Sequence, residues 1–171
     1  RIGVNLVTFH AGFIPHDTRD PEWNKLIQRL RDLVDVYHGC GVRVGLETGQ
    51  ENAETLAAAL DALDRPTAGV NFDPANMILY GMGDPNAAIS ALAARVEQIH
   101  VKDAVRTKTT GTWGAEVPAG TGEVDWAGFF AIVGQRLPDC DLVIEREAGE
   151  QRVNDVITAA RLVRELATWI E

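Results

Sequence analysis

The chain alternates short apolar segments with amphipathic ones five times, in units of about 34 of its 171 residues. The short segments are rich in β-forming residues and predict buried strands at 2–9, 42–47, 68–73, 96–101 and 142–145. Between them, apolar residues recur at helical spacing and predict helices at 23–37, 54–63, 84–94, 125–137 and 153–170. Short apolar strands that alternate with helices predict an α/β fold with a buried parallel sheet.

Two parallel architectures contain such units. Five units complete a doubly wound open sheet, whereas eight units of this size, roughly 270 residues, close a (β/α)8 barrel. No G-x-G-x-x-G motif follows a predicted strand, so the sequence does not support a nucleotide-binding open sheet. Residues 107–123 have no periodicity and are predicted to form one long loop, a type of segment that is often functional.

The net charge of −9 and the pI near 4.9 exclude two classes of partner. Nucleic acids and anionic membranes attract basic surfaces, so we expect neither. No stretch approaches the roughly 18 apolar residues of a membrane span, and no signal-peptide pattern opens the chain. Cys40 and Cys140 lack the spacing of metal or redox motifs, so we expect reduced thiols and a cytoplasmic protein.

A carboxylate or an imidazole closes each predicted strand. The strand-closing residues are His10, Glu47, Asp73, His100 (with Asp103 just beyond it) and Glu145. Parallel strands end at one edge of a sheet, where the active sites of α/β proteins are built, so we expect these side chains to meet. Several buried carboxylates need a cation or water. The mixed donors predict a site for Mn²⁺, Mg²⁺, Co²⁺ or Zn²⁺ made by Glu47, Asp73, His100 and Glu145.

Five motifs carry a family resemblance. They are Leu-Glu-Thr-Gly-Gln (46–50), Asn-Phe-Asp-Pro-Ala-Asn (71–76), Ile-His-Val-Lys-Asp (99–103), Gly-Thr-Gly-Glu-Val-Asp-Trp (120–126) and Val-Ile-Glu-Arg-Glu (143–147). In order and spacing they resemble the sugar isomerase/epimerase group of the xylose isomerase-like TIM barrels, a superfamily that includes apurinic endonucleases. The resemblance covers nearly the whole chain and implies a (β/α)8 barrel.

The resemblance also implies roles for particular residues. The epimerase branch binds one metal ion, with Mn²⁺ the expected one, through positions that match Glu47, Asp73, His100 and Glu145. Glu47 and Glu145 then also serve as the catalytic acid/base pair. Arg106, six residues after the metal-binding histidine, is implied to bind a substrate oxygen. His10, in His-Ala-Gly, resembles a further substrate-contacting position.

One position departs from the family pattern. Relatives commonly carry Asp-x-x-His after the third of these strands, whereas Asn76 occupies the histidine position here. An amide can bind a sugar hydroxyl, but it cannot act as a base and is a poor ligand for a second metal. We therefore expect Asn76 to contact substrate in a one-metal site.

The resulting hypothesis is a metal-dependent sugar or sugar phosphate isomerase/epimerase that moves a proton through an enediolate intermediate. A Lewis acid stabilises the negative charge of that intermediate. An inosose-type dehydratase is an alternative on the same site. An apurinic endonuclease-like hydrolase and a non-catalytic sugar-binding barrel are further alternatives. We expect a sugar or polyol substrate and a homo-oligomer. We also expect residues 1–171 to form one domain, the last five β-α units of a longer barrel.

Overall fold

The computed structural model describes residues 3–170. The strands are β1 (Leu6–Phe9), β2 (Arg43–Glu47), β3 (Ala68–Phe72), β4 (Val96–Val101), β5 (Asp103–Val105), β6 (Ala115–Val117) and β7 (Asp141–Ile144). The α-helices are α1 (Pro21–His38), α2 (Ala53–Leu63), α3 (Pro74–Tyr80), α4 (Pro85–Leu92), α5 (Trp126–Arg136) and α6 (Arg152–Leu166), and one 3-10 turn covers Ala93–Arg95. Within 3–170, none of these helices is long and apolar enough to cross a membrane.

Five strands form one parallel sheet in the order β1-β2-β3-β4-β7. In a doubly wound sheet the strand order reverses at a switch point, and here it does not. An unreversed order keeps all crossover helices on one face of the sheet. Each of these helices contacts the next one, in the order α1, α2, α4, α5 and α6. This topology is five-eighths of a (β/α)8 barrel, so the TIM-barrel prediction is confirmed and the open-sheet alternative is wrong.

The strands separate an apolar face from a polar one. Val44 and Leu46 of β2, like Val70 and Phe72 of β3, are fully buried in the core against the helices. Successive side chains of a strand point to opposite faces. The positions between these apolar residues therefore face the barrel interior. Glu47 is one of them, and polar residues of the neighbouring strands face the interior beside it.

A bulge sets which residues of β4 face the interior. The register between β3 and β4 runs from Val70↔Val96 to Asn71↔Gln98, so β4 carries one extra residue at Glu97. A shift of one residue exchanges the two faces of a strand. A Cβ on Gly69 would lie 2.5 Å from Glu97 Cγ and 2.7 Å from Arg95 O, so only glycine permits this approach. The bulge thus precedes the segment that carries His100.

Three segments differ from the sequence prediction. The predicted loop 107–123 contains β6, which pairs antiparallel with β5 just after β4. Helix α3 was not predicted, although Asp73 caps its N-terminus and Pro74 occupies its first position. Both elements are too short to show a periodic pattern, and their partners lie elsewhere in the chain. The last helix also ends at Leu166 rather than near residue 170.

Asp103 organises the rest of the long loop. Its side chain is 1% exposed. The carboxylate accepts hydrogen bonds from the backbone of Ala104, Gly120, Gly122 and Val124 and from Trp126 Nε1, at 2.8 to 3.2 Å. A Cβ on Gly122 would lie 2.1 Å from Asp103 Oδ1, so this position admits only glycine. Asp103 is therefore a structural carboxylate, fully engaged with the loop.

Replacing Asp103 with asparagine is expected to lower the free energy of unfolding by about 3 kcal/mol, because charged hydrogen bonds are lost and an amide N–H then faces other N–H donors. Urea denaturation measures this loss. Asp139, which is exposed, supplies the matched control, and Asp139→Asn is expected to change stability by less than about 0.5 kcal/mol. A loss below about 1 kcal/mol for Asp103→Asn would contradict the assigned role.

Candidate metal centre at the carboxyl edge of the sheet

Four predicted ligands meet where four strands end. Glu47, Asp73, His100 and Glu145 each offer one donor atom, and these atoms lie within 4.8 Å of one another. His100 Nδ1 is 3.2 Å from Glu145 Oε2 and 3.7 Å from both Glu47 Oε1 and Asp73 Oδ2. The imidazole is therefore surrounded by three carboxylates.

Asp73 divides its two carboxylate oxygens between two tasks. Oδ1 caps α3 by accepting hydrogen bonds from the backbone N–H groups of Ala75 and Asn76, at 2.8 and 3.1 Å. Oδ2 is turned toward the cluster. The cap fixes the side chain on the short path from β3 into α3, so the local fold itself orients Oδ2.

The cluster contains buried polar atoms that the described residues leave without a hydrogen bond. These atoms include Asp73 Oδ2 and His100 Nδ1. Asp73 is fully buried and His100 is 7% exposed. A buried polar atom without a partner costs about 1–3 kcal/mol, and a divalent cation would satisfy both atoms at once. The donor set therefore fits a metal ion.

Lys102 belongs to the cluster and was missed by sequence reasoning. It is 4% exposed, and its Nζ lies 2.9 Å from Glu145 Oε2, 3.2 Å from Glu147 Oε2 and 3.6 Å from Asp73 Oδ2. The signal was present, because Lys102 follows His100 by two residues and strand alternation places both on one face. The lysine supplies a fixed positive charge beside the carboxylates.

The charges in the cluster shift the pKa values of its members. Burial disfavours the imidazolium, but Asp73 and Glu145 outweigh it and raise the pKa of His100 to about 10. The facing His100, together with Lys102, lowers the pKa of Glu145 to about 2 against the effect of burial. Burial raises the pKa of Asp73. Without a cation, the neighbouring carboxylates therefore favour the protonated form of His100.

His10 and Asn76, the expected substrate contacts, both touch Glu47. His10 is half-exposed, and its Nε2 lies 3.3 Å from Glu47 Oε1. Asn76 is buried, and its Nδ2 donates to Glu47 Oε1 and to Thr48 O, each at 3.0 Å. Burial opposes ionisation of Glu47, but the hydrogen bond with His10 outweighs it and lowers the pKa of Glu47. The two residues hold the Glu47 carboxylate in place.

Arg106 lies outside this cluster. Its side chain is 67% exposed and its guanidinium pairs with Glu123. It lines a cavity at the ends of α3, α4 and α5 together with Asp84 and Asp125. The structure thus groups His10 and Asn76 with the four candidate ligands and places Arg106 elsewhere.

Comparison with known proteins assigns the chain to a family. A family model described as "Xylose isomerase-like TIM barrel" matches residues 1–171. The crystal structure of a xylose isomerase domain protein from Planctomyces limnophilus superposes with a TM-score of 0.88 at 35% identity, covering 95% of this chain and 61% of that one.

Two further relatives are more distant. A 3-oxo-isoapionate decarboxylase from Pectobacterium atrosepticum is 27% identical over 145 residues, which are 82% of this chain and 47% of that protein. A xylose isomerase-like TIM barrel protein from Mycobacterium smegmatis, solved with magnesium, has a TM-score of 0.73 at 14% identity, covering 99% of this chain and 63% of that one. The chain thus spans about half to two thirds of these relatives. It belongs to the xylose isomerase-like TIM barrel family.

Proposed function

We propose that this chain carries the centre of a divalent-metal-dependent isomerase or epimerase that acts on a sugar or a sugar phosphate. One observation carries the proposal. Glu47 and Glu145 come from the outer two of four neighbouring strands, with Asp73 and His100 between them, and all four donor atoms lie within 4.8 Å. Two carboxylates that flank one site are what proton removal and proton return require.

The ion that we propose is Mn²⁺. It would be held by Glu47, Asp73, His100 and Glu145. When bound, such an ion acts as a Lewis acid on adjacent carbonyl and hydroxyl oxygens, which stabilises the charge of an enediolate. Asp73 Oδ2 and His100 Nδ1 have no hydrogen bond to any described residue, which supports this assignment.

The two glutamates have different neighbours, which suits different roles. Glu47 Oε1 is held by His10 and by the amide of Asn76. Glu145 Oε2 is held by Lys102 Nζ at 2.9 Å. Carboxylates in unlike environments can serve one as base and the other as acid. We assign Glu47 and Glu145 as the pair that removes and returns the substrate proton.

His10 is the residue best placed to meet a substrate hydroxyl. Its ring is half-exposed and adjoins Glu47. Both hydrogen bonds donated by Asn76 go to Glu47 and Thr48, so its amide orients the base. Arg106 would reach substrate only if it left Glu123.

A second candidate function is decarboxylation of a 3-oxo sugar acid. The relative from Pectobacterium atrosepticum, which aligns with 82% of this chain, is a 3-oxo-isoapionate decarboxylase. Loss of carbon dioxide from a 3-oxo acid leaves an enolate, so the same stabilised charge serves both reactions. The two functions differ in which bond to the reacting carbon breaks.

Replacing Glu145 with glutamine is expected to weaken Mn²⁺ binding by more than about 100-fold, because a charged ligand is lost. The matched control is Glu147→Gln, which removes a 69% exposed carboxylate from the same Lys102. Its effect should stay below about fivefold. Isothermal titration with Mn²⁺ measures both variants. Failure of the unmodified protein to bind any divalent metal would contradict the proposed function.

Metal binding is expected to release about one proton at pH 7.5, because His100 has a pKa of about 10 and must lose its proton to ligate. Glu145, with a pKa of about 2, is already ionised. The apparent affinity should therefore rise as pH rises from about 6 and level off near pH 10. Calorimetry in two buffers of different ionisation enthalpy counts the protons, and zero release would contradict the assigned ligand role of His100.

The two candidate functions predict different products. An isomerase or epimerase incorporates deuterium from D₂O at the carbon beside the carbonyl, and a panel of ketoses followed by NMR detects it. A decarboxylase releases carbon dioxide from a 3-oxo acid instead. We expect exchange into at least one sugar, and expect Glu145→Gln to abolish it. Exchange that persists in this variant would contradict the role of Glu145.

A further inference from the structure

Asn71 is a buried polar residue that the proposed chemistry does not use. It lies on β3, is fully buried, and faces the interior two residues before Asp73. Its Nδ2 is 3.0 Å from His100 Nε2 and 3.4 Å from Glu47 Oε2. Its Oδ1 has no hydrogen-bond partner among residues 3–170. The amide therefore contacts the side of the imidazole that faces away from the carboxylates.

The two nitrogens of His100 face different surroundings. Nδ1 faces Glu47, Asp73 and Glu145, and Nε2 faces Asn71. A nitrogen that binds a metal must offer a lone pair, so the proton of the neutral ring must sit on the other nitrogen. If Nδ1 is the ligand, Nε2 carries the proton and needs an acceptor.

The orientation of the Asn71 amide decides which tautomer of His100 is stable. When Nδ2 faces Nε2, the amide donates a hydrogen bond to that nitrogen. The proton of the neutral ring must then sit on Nδ1, where it occupies the lone pair that would bind the metal. A rotation of 180° about Cβ–Cγ brings Oδ1 to Nε2 instead. Oδ1 then gains the partner that it lacks, and Nε2–H gains its acceptor. The rotation costs Nδ2 both of its present contacts, the one with His100 Nε2 at 3.0 Å and the one with Glu47 Oε2 at 3.4 Å.

We propose that Asn71 is a positioning residue that selects the metal-binding tautomer of His100 by presenting Oδ1 to Nε2–H. This inference rests on the proposed metal centre. Partners that orient a ligating histidine typically change metal affinity about 10–100-fold when they are removed. Asn71 acts through His100 and contacts no substrate.

Two variants separate the acceptor role from a donor role. Asn71→Asp keeps an acceptor and removes the donor, whereas Asn71→Leu removes both in a side chain of similar size. We expect Asn71→Leu to weaken Zn²⁺ binding about 10–100-fold and Asn71→Asp to bind within about tenfold of the unmodified protein. Competition with a chromophoric chelator measures the affinities. Asn86→Leu is the control, because the Asn86 amide contacts Asp125 outside the cluster. This variant should bind Zn²⁺ as the unmodified protein does.

A direct readout does not depend on the variants. The ¹⁵N chemical shifts of His100 in the zinc-loaded protein report its tautomer, and we expect the proton on Nε2. A proton on Nδ1, equal affinity for Asn71→Leu, or an Asn71→Asp variant as weak as Asn71→Leu would overturn the inference while the metal centre stands. Failure of the unmodified protein to bind either Zn²⁺ or Mn²⁺ would overturn the proposed function, and the inference with it.

Discussion

Charge compensation at the carboxyl edge of the sheet is the constraint on which the candidate site depends. Three carboxylates surround one imidazole there, and the central pair, Asp73 and His100, is nearly or fully buried. Buried like charges are tolerated only with compensating cations and hydrogen bonds. Lys102 supplies one positive charge, and a divalent ion would supply the two that balance Glu47, Asp73 and Glu145. The ligand set and the lysine therefore form one electrostatic unit.

Two aspartates that follow the neighbouring strands β3 and β4 show how the fold assigns such charges. Asp103 gives both oxygens to loop N–H groups and to Trp126, so it holds the loop and offers nothing to a ligand. Asp73 gives only Oδ1 to a helix cap, and its Oδ2 accepts no hydrogen bond from residues 3–170. A carboxylate with one spare oxygen can bind a cation without losing its structural role. The difference lies in how many backbone donors the surrounding chain brings within reach.

Four supporting residues contact three of the candidate ligands. His10 and Asn76 hold Glu47, and Lys102 holds Glu145. Asn71 lies behind His100, between β2 and β4. These contacts restrict the side chains before any ligand binds, which is the property that a catalytic centre needs. The polar interior of the sheet thus carries the candidate site with its side chains already held in place, whereas the opposite face is the apolar core.

The sequence by itself determined the β-α alternation, the parallel sheet and the meeting of Glu47, Asp73, His100 and Glu145, because parallel strands share one carboxyl edge and the strand pattern marks where each strand ends. Only the tertiary structure decided the unreversed strand order, the pairing of β5 with β6, and the different roles of Asp73 and Asp103. It also separated Arg106 from the cluster and brought in Asn71. Those outcomes depend on contacts between residues far apart in the chain, and on a one-residue bulge in β4, which no local pattern encodes.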